Sequence, residues 1–237
     1  MRNNHPDGFC RYELRTTDVD AARAFYAGLL GPDFWGEGID VQPMPPQSAE
    51  RGAPSHWLGH IGVDDVVGTA LRFIDAGAAL IGQPPGAPVP SERAILRDPF
   101  GAFLALTSDR TAADADRVPW HMLLARDEAQ AFDVYRRFFG WTPVESVNTR
   151  LREERLQLFH WDLARHGGAT TNAASLPHVH PQWLFFFRTA NLTASLATVR
   201  EWGGLTLPVT VTPEGWRLAA CDDPQGAAFG LYEDARH

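Results

Sequence analysis

One pattern occurs four times in this 237-residue chain and limits what it can fold into. The four stretches are residues 12–31 (YELRTTDVDAARAFYAGLLG), 59–77 (GHIGVDDVVGTALRFIDAG), 121–140 (HMLLARDEAQAFDVYRRFFG) and 184–203 (LFFFRTANLTASLATVREWG). Each opens on alternating or continuous apolar residues, the mark of a strand. A polar residue follows: Asp18, Asp65, Asp127 or Asn191. Side chains of this kind accept hydrogen bonds from the free N–H groups that begin a helix. Each stretch ends at Gly31, Gly77, Gly140 or Gly203, where glycine takes up the left-handed C-cap conformation at little cost. The opener-to-glycine spacing is 13, 12, 13 and 12 residues. Four strand–helix units are therefore expected, and internal repetition of this kind sets the whole architecture.

Repeats one and three match each other, as do two and four. Only repeats two and four lead into an Asp-Pro-x-Gly turn, in residues 97–108 (RDPFGAFLALTS) and 222–233 (DDPQGAAFGLYE). Each turn sits between apolar runs, residues 94–98 with 102–108 and 216–222 with 227–233, which predicts a strand pair around it. The chain thus reads as a duplicated two-repeat domain, 1–110 and 117–237, joined by the polar, aperiodic residues 108–117. Residues 155–163 (RLQLFHWDL) alternate as a half-buried strand, and either His160 or its neighbours Phe159 and Trp161 face inward. Residues 41–54 and 164–181 are rich in Pro, Gly and Ser and are expected to be loops. The mixed-charge run 150–155 reads as a solvated turn or strand edge.

The net charge of −8, with no basic block, argues against nucleic-acid binding. No apolar run approaches the ~18 residues of a membrane span. The opening residues (MRNNHPDGF) do not read as a signal peptide, and the sparse cysteines suit a reducing, cytoplasmic setting. Two cysteines, Cys10 and Cys221, do not make a disulfide framework. A phosphate loop, a Gly-x-Ser-x-Gly elbow and paired Cys-x-x-Cys motifs are all missing, so nucleotide-binding, hydrolase and zinc-ribbon readings lack support.

The strand–helix units, the aromatic helix ends FYAGLLG (25–31) and VYRRFFG (134–140), and the Asp-Pro-x-Gly turns together resemble the vicinal oxygen chelate superfamily. That group includes glyoxalase I, bleomycin-resistance proteins and extradiol dioxygenases. The resemblance covers nearly the whole chain. It implies an α+β fold of tandem βαβββ units forming two cup-shaped glyoxalase-like domains. A pair of ferredoxin-like domains is the runner-up. The duplication supplies a pairing that single-domain members obtain by dimerising, so a monomer is plausible.

The resemblance also implies where metal ligands would stand. One kind of place lies seven residues before the helix opener, which falls here on Arg11, Leu58, Trp120 and Leu184. The other lies seven residues after the turn aspartate, on Ala105 and Gly230. Leu, Trp, Ala and Gly side chains do not bind metals, and Arg is always charged, so the usual metal site is not expected.

Side chains two apart on a strand share a face, which extends each place into a predicted lining. The first cup gains Arg11, Glu13 and Arg15, then His56, Leu58 and His60, then Phe103 and Ala105. Glu13, His56 and His60 would suit one divalent metal ion, or Glu13 and His60 an acid/base pair. Alternatively Arg11, Glu13 and Arg15 form a satisfied ion-pair ladder. The second cup gains Trp120, Met122 and Leu124, then Gln182, Leu184 and Phe186, then Ala228, Gly230 and Tyr232. Such a lining suits a small aromatic ligand with no cofactor, or is simply core packed by its own rings. His178 and His180 form a His-x-His pair that is either a solvated loop or a metal site. The candidate catalytic residues are thus Glu13 and His60. The candidate ligand-binding residues are Arg11, His56, Trp120, Met122, Gln182, Phe186 and Tyr232.

Overall fold

The computed structural model describes residues 8–234 apart from 85, 110, 112, 114, 115, 145–148, 152, 153, 163, 164, 213 and 214. The chain runs β1 (Phe9–Thr16), α1 (Val19–Leu30), β2 (Ile39–Pro43), α2 (Pro46–Glu50), β3 (His56–Gly62), α3 (Val66–Asp75), β4 (Ala79–Ile81), β5 (Arg93–Arg97) and β6 (Phe103–Thr107). It continues through β7 (Trp120–Leu124), α4 (Glu128–Phe139), β8 (Thr142–Pro143), β9 (Thr149–Leu151), β10 (Glu154–Asp162) and β11 (Arg165–Thr171). The last elements are β12 (Gln182–Arg188), α5 (Leu192–Glu201), β13 (Leu205–Thr206), β14 (Thr210–Val211), β15 (Arg217–Asp222) and β16 (Ala228–Glu233). The fold is α+β. Repeat two has the full strand–helix–three-strand form, β3-α3-β4-β5-β6, whereas repeat one keeps only β1, α1 and β2.

All four long helices start at the predicted opener. Asp18, Asp65, Asp127 and Asn191 accept from the main-chain N–H of Ala21, Gly68, Gln130 and Ala194 at 2.8–2.9 Å. The four helix-ending glycines all have positive φ; at Gly140 the N–H returns to the Arg136 carbonyl and φ is 72°. Helix α5 has a further anchor. The Leu192 N–H donates to the Glu233 carboxylate, which also accepts from Arg217 at 2.7 Å. Burial alone would raise the Glu233 carboxyl, but the Leu192 N–H and Arg217 together hold it below the ordinary glutamate range. A carboxylate lowered in the folded state adds stability above its unfolded pKa, and that stability is lost as pH falls through the folded value. Glu233→Gln therefore flattens the acid limb of thermal midpoint against pH below about pH 4.3, while wild type falls steadily there.

Both Asp-Pro-x-Gly segments form tight turns. The Gly101 N–H reaches the Asp98 carbonyl at 3.1 Å, and the Gly226 N–H reaches that of Asp223 at 2.9 Å. Each turn joins the expected antiparallel pair, β5 with β6 and β15 with β16, in register from Arg93↔Thr107 to Arg97↔Phe103 and from Arg217↔Glu233 to Asp222↔Ala228.

The chain divides into two compact units. The first holds residues 1–10, 59–111 and 121–183; the second holds 11–58, 112–120 and 184–237. Repeats two and three thus share one unit, and repeats one and four the other. In the first unit, β6 lies between β3 and β5, and β11 between β7 and β10. In the second, β1 pairs parallel with β2, and β16 lies between β12 and β15.

Each unit is built around a tyrosine from an aromatic helix end. In the second unit the Tyr26 hydroxyl donates to Asp223 Oδ2 at 3.2 Å and accepts from Trp57 Nε1 at 2.9 Å. In the first unit the Tyr135 hydroxyl donates to Asp98 Oδ2 at 2.8 Å and accepts from Trp183 Nε1 at 3.0 Å. Both tyrosines are completely buried, and burial with the neighbouring aspartate drives each phenol well above its ordinary range. The other oxygen of each aspartate accepts two main-chain N–H groups, from Phe100 and Ala102 or from Gln225 and Ala227, at 2.8–2.9 Å. A buried polar group is tolerated when its partners are complete, and here the chain Trp–Tyr–Asp–turn is complete in both copies.

Two stretches expected to be loops contain regular structure. In 41–54, β2 pairs with β1 and α2 forms a short turn of helix, because Ile39 and Val41 alternate onto a buried face. In 164–181, β11 pairs parallel with β7 despite its glycines. A Cβ at Gly168 would stand 2.0 Å from the His121 carbonyl oxygen, so the glycine is what lets the strands meet. His160 is half-buried while Phe159 is completely buried, which settles that strand's inward face. Parts of 108–117, and the side chains of 150–155, lie outside the described residues. No helix among the described residues is long and apolar enough to cross a membrane.

Candidate functional site

In the second unit the strands β12, β16 and β15 present two faces. Phe185, Phe187, Phe229, Leu231, Ala219 and Cys221 form one, all buried. The rings of Phe25, Phe34, Trp57, Phe187 and Phe229 all come within 6.2 Å of another ring of that group or of Tyr26. Cys221 lies in this packed layer, and burial, then the charge of Asp222, push its thiol up to about 12, so it is no nucleophile. Alternation puts Leu184, Phe186 and Arg188 of β12 with Ala228, Gly230 and Tyr232 of β16 on the opposite, cup-forming face. The register pairs Phe186 with Gly230 and Arg188 with Tyr232.

The space above Gly230 is taken. A Cβ on Gly230 would stand 2.2–2.5 Å from three atoms of the Phe186 ring. The glycine at this place is therefore required by a phenylalanine that lies flat against its Cα. Trp120 packs edge-on to Trp216 at 5.6 Å, and Trp216 packs on Tyr232 at 5.9 Å. The Arg188 guanidinium lies over the Tyr232 ring at 5.3 Å, a cation–π contact. Trp120 is buried, and its indole N–H has no hydrogen-bond partner among the described residues. Three predicted residues, Trp120, Phe186 and Tyr232, thus belong to one aromatic lining. Met122 and Gln182, both half-buried, are counted with the first unit.

Beside this lining a cavity of about 410 Å³ opens in the same unit. Leu30, Phe34 and Phe187 contribute apolar surface, and Arg117 and Arg188 contribute cations. Sequence reasoning missed this cavity. Its parts lie in three separate stretches, 30–34, 116–117 and 187–190, none with a motif.

The first-cup candidates are placed as follows. Arg11, Glu13 and Arg15 alternate on β1 with buried Tyr12 and Leu14, and Arg15 Nε and Nη2 both contact Glu13 Oε1 at 2.6 Å. His56 is half-buried, and its Nδ1 lies 3.0 Å from the Pro54 carbonyl. His60 is buried on β3, in register with Ala105. His178 and His180 are exposed. Among the described residues no three His, Cys, Asp or Glu side chains group as a metal ion would require. The donor set at the places implied by the resemblance does not fit a metal.

No family model matches the chain. The putative glyoxylase CFP32 of Mycobacterium tuberculosis is 26% identical, over 94% of this chain and 93% of its own length. The anthracycline biosynthesis protein DauV of a Streptomyces species is 24% identical, over 94% and 91%. Among solved structures, the 2,3-dioxygenase LapB from Pseudomonas sp. KL28 superposes with a TM-score of 0.61 at 12% identity, covering 98% of this chain and 93% of LapB. Homoprotocatechuate 2,3-dioxygenase from B. fuscum gives 0.62 at 13%, covering 99% and 74%. This chain has the vicinal oxygen chelate fold. The Asp-Pro-x-Gly turns on which the resemblance rests are formed, while Gly230 carries a packed ring where the resemblance puts a metal ligand.

Proposed function

We propose that this chain is a glyoxalase- and bleomycin-resistance-like protein that binds a small aromatic molecule in its second unit, without a metal. The observation that carries this reading is the Phe186 ring seated on Gly230. It devotes the ligand place of the fold to an apolar surface, continued by Trp120, Trp216 and Tyr232. Pockets for organic ligands are mainly apolar, with a few polar groups that fix orientation. The relative named for anthracycline biosynthesis supports a small organic ligand for this chain.

A ligand that binds only the folded state raises the melting temperature by mass action, by about 2.7 kcal/mol at a hundredfold excess over Kd. For a chain of this size that is roughly 5–10 °C. Scanning fluorimetry with planar aromatic compounds should therefore give a saturable rise for at least one class. The rise should persist in chelator and shrink in Trp216→Ala. Elemental analysis of protein purified without chelator should find no near-stoichiometric metal. A stoichiometric metal, or a flat response across the panel, rejects the reading.

A further inference from the structure

We infer that the cavity beside β12 in the second unit binds a small apolar molecule carrying one anionic oxygen group, a carboxylate or sulfonate, held by Arg117 and Arg188. This deepens the small-molecule reading above and rests on it. The cavity volume, about 410 Å³, lies within the ~300–1,000 Å³ of small-molecule sites. Its apolar surface comes from Leu30, Phe34 and Phe187, with the Phe34 and Phe187 rings crossed at 89° and 5.1 Å apart.

The cations decide the ligand class. Both arginines are half-buried, and both are anchored to main-chain oxygens rather than to acids. Arg117 Nη1 donates to the Asp33 carbonyl at 2.8 Å, and Arg188 Nε donates to the Asp116 carbonyl at 2.9 Å. No carboxylate among the described residues pairs with either guanidinium, in a chain whose net charge is −8. The Arg188 N–H bonds to the Arg117 carbonyl at 3.0 Å, which ties the two segments together. Stacking on Tyr232 fixes the plane of Arg188. The Arg188 guanidinium, whose two Nη groups bond to no described residue, is preorganised for a planar anion, because its fork matches a carboxylate, and Arg117 adds its Nη2. Asp33 and Asp116 also line the cavity and are exposed. Their charge opposes a polyanion, which limits the ligand to one anionic group.

The test uses the full chain and two dyes of nearly the same shape. One is 8-anilinonaphthalene-1-sulfonate; the other is N-phenyl-1-naphthylamine, which lacks the sulfonate. Fluorescence titration should show saturable binding of the sulfonate dye by wild type. Arg188→Gln and Arg117→Gln should each weaken it at least about tenfold, and leave the neutral dye within about twofold. Unaltered sulfonate binding in both variants, or equal loss of both dyes with the fold intact, overturns the proposal while leaving the small-molecule reading in place. No saturable binding of either dye overturns both. A second measurement needs no variant: benzoate should displace the sulfonate dye from wild type, and benzamide at the same concentration should not. Equal displacement by the two overturns the anionic assignment.

Discussion

Replacing Asp98 with alanine is expected to cost about 3–5 kcal/mol, because it orphans three donors at once, two of them buried, and each buried one costs about 1–3 kcal/mol before relaxation. Those donors are the Phe100 and Ala102 N–H groups and the Tyr135 hydroxyl. Asp223→Ala should cost a similar amount in the second unit, where Gln225, Ala227 and Tyr26 lose their acceptor. The thermal midpoint should fall by roughly 10 °C in either case. Tyr135→Phe is milder, about 1–3 kcal/mol, since it removes one donor to Asp98 and strands the Trp183 N–H. Denaturation in urea with each single variant and the Asp98/Tyr135 double variant gives the coupling directly. A cost below about 1 kcal/mol for both alanine variants would show that water replaces the aspartate and that the turn is only a turn.

Gly230→Glu should also be strongly destabilising, by about 3 kcal/mol or more, although the resemblance puts a metal ligand at this place. The new Cβ would enter the Phe186 ring, and the carboxylate would be buried among rings. Phe186→Ala alone should cost about 3–5 kcal/mol through its cavity. The double variant should be less destabilised than the sum, because removing the ring makes room for the glutamate. No metal should be gained, since the neighbouring places hold Trp120 and Leu184. If Gly230→Glu melts within about 2 °C of wild type, the Phe186 ring is not fixed on the glycine.

The local order of this chain is written in its sequence. Helix openers, helix-ending glycines and both Asp-Pro-x-Gly turns fall where short-range chemistry puts them, because a cap or a turn is decided by partners two to four residues away. Strand faces followed from alternation, which identified Phe186 and Tyr232 as sharing a surface with Gly230. Glycine-rich β11 was not legible as a strand, because the reason for Gly168 is a carbonyl of another strand.

What tertiary structure alone decided are the partnerships. Tyr26 finds Asp223 across 197 positions of sequence, and Tyr135 finds Asp98 across 37. An apolar helix face says that something must cover it, not which repeat will, since the hydrophobic effect has no direction. The cavity between Arg117 and Arg188 has the same origin. Each arginine alone reads as an ordinary charged residue, and only the fold brings them to one wall, where no carboxylate among the described residues forms an ion pair with either.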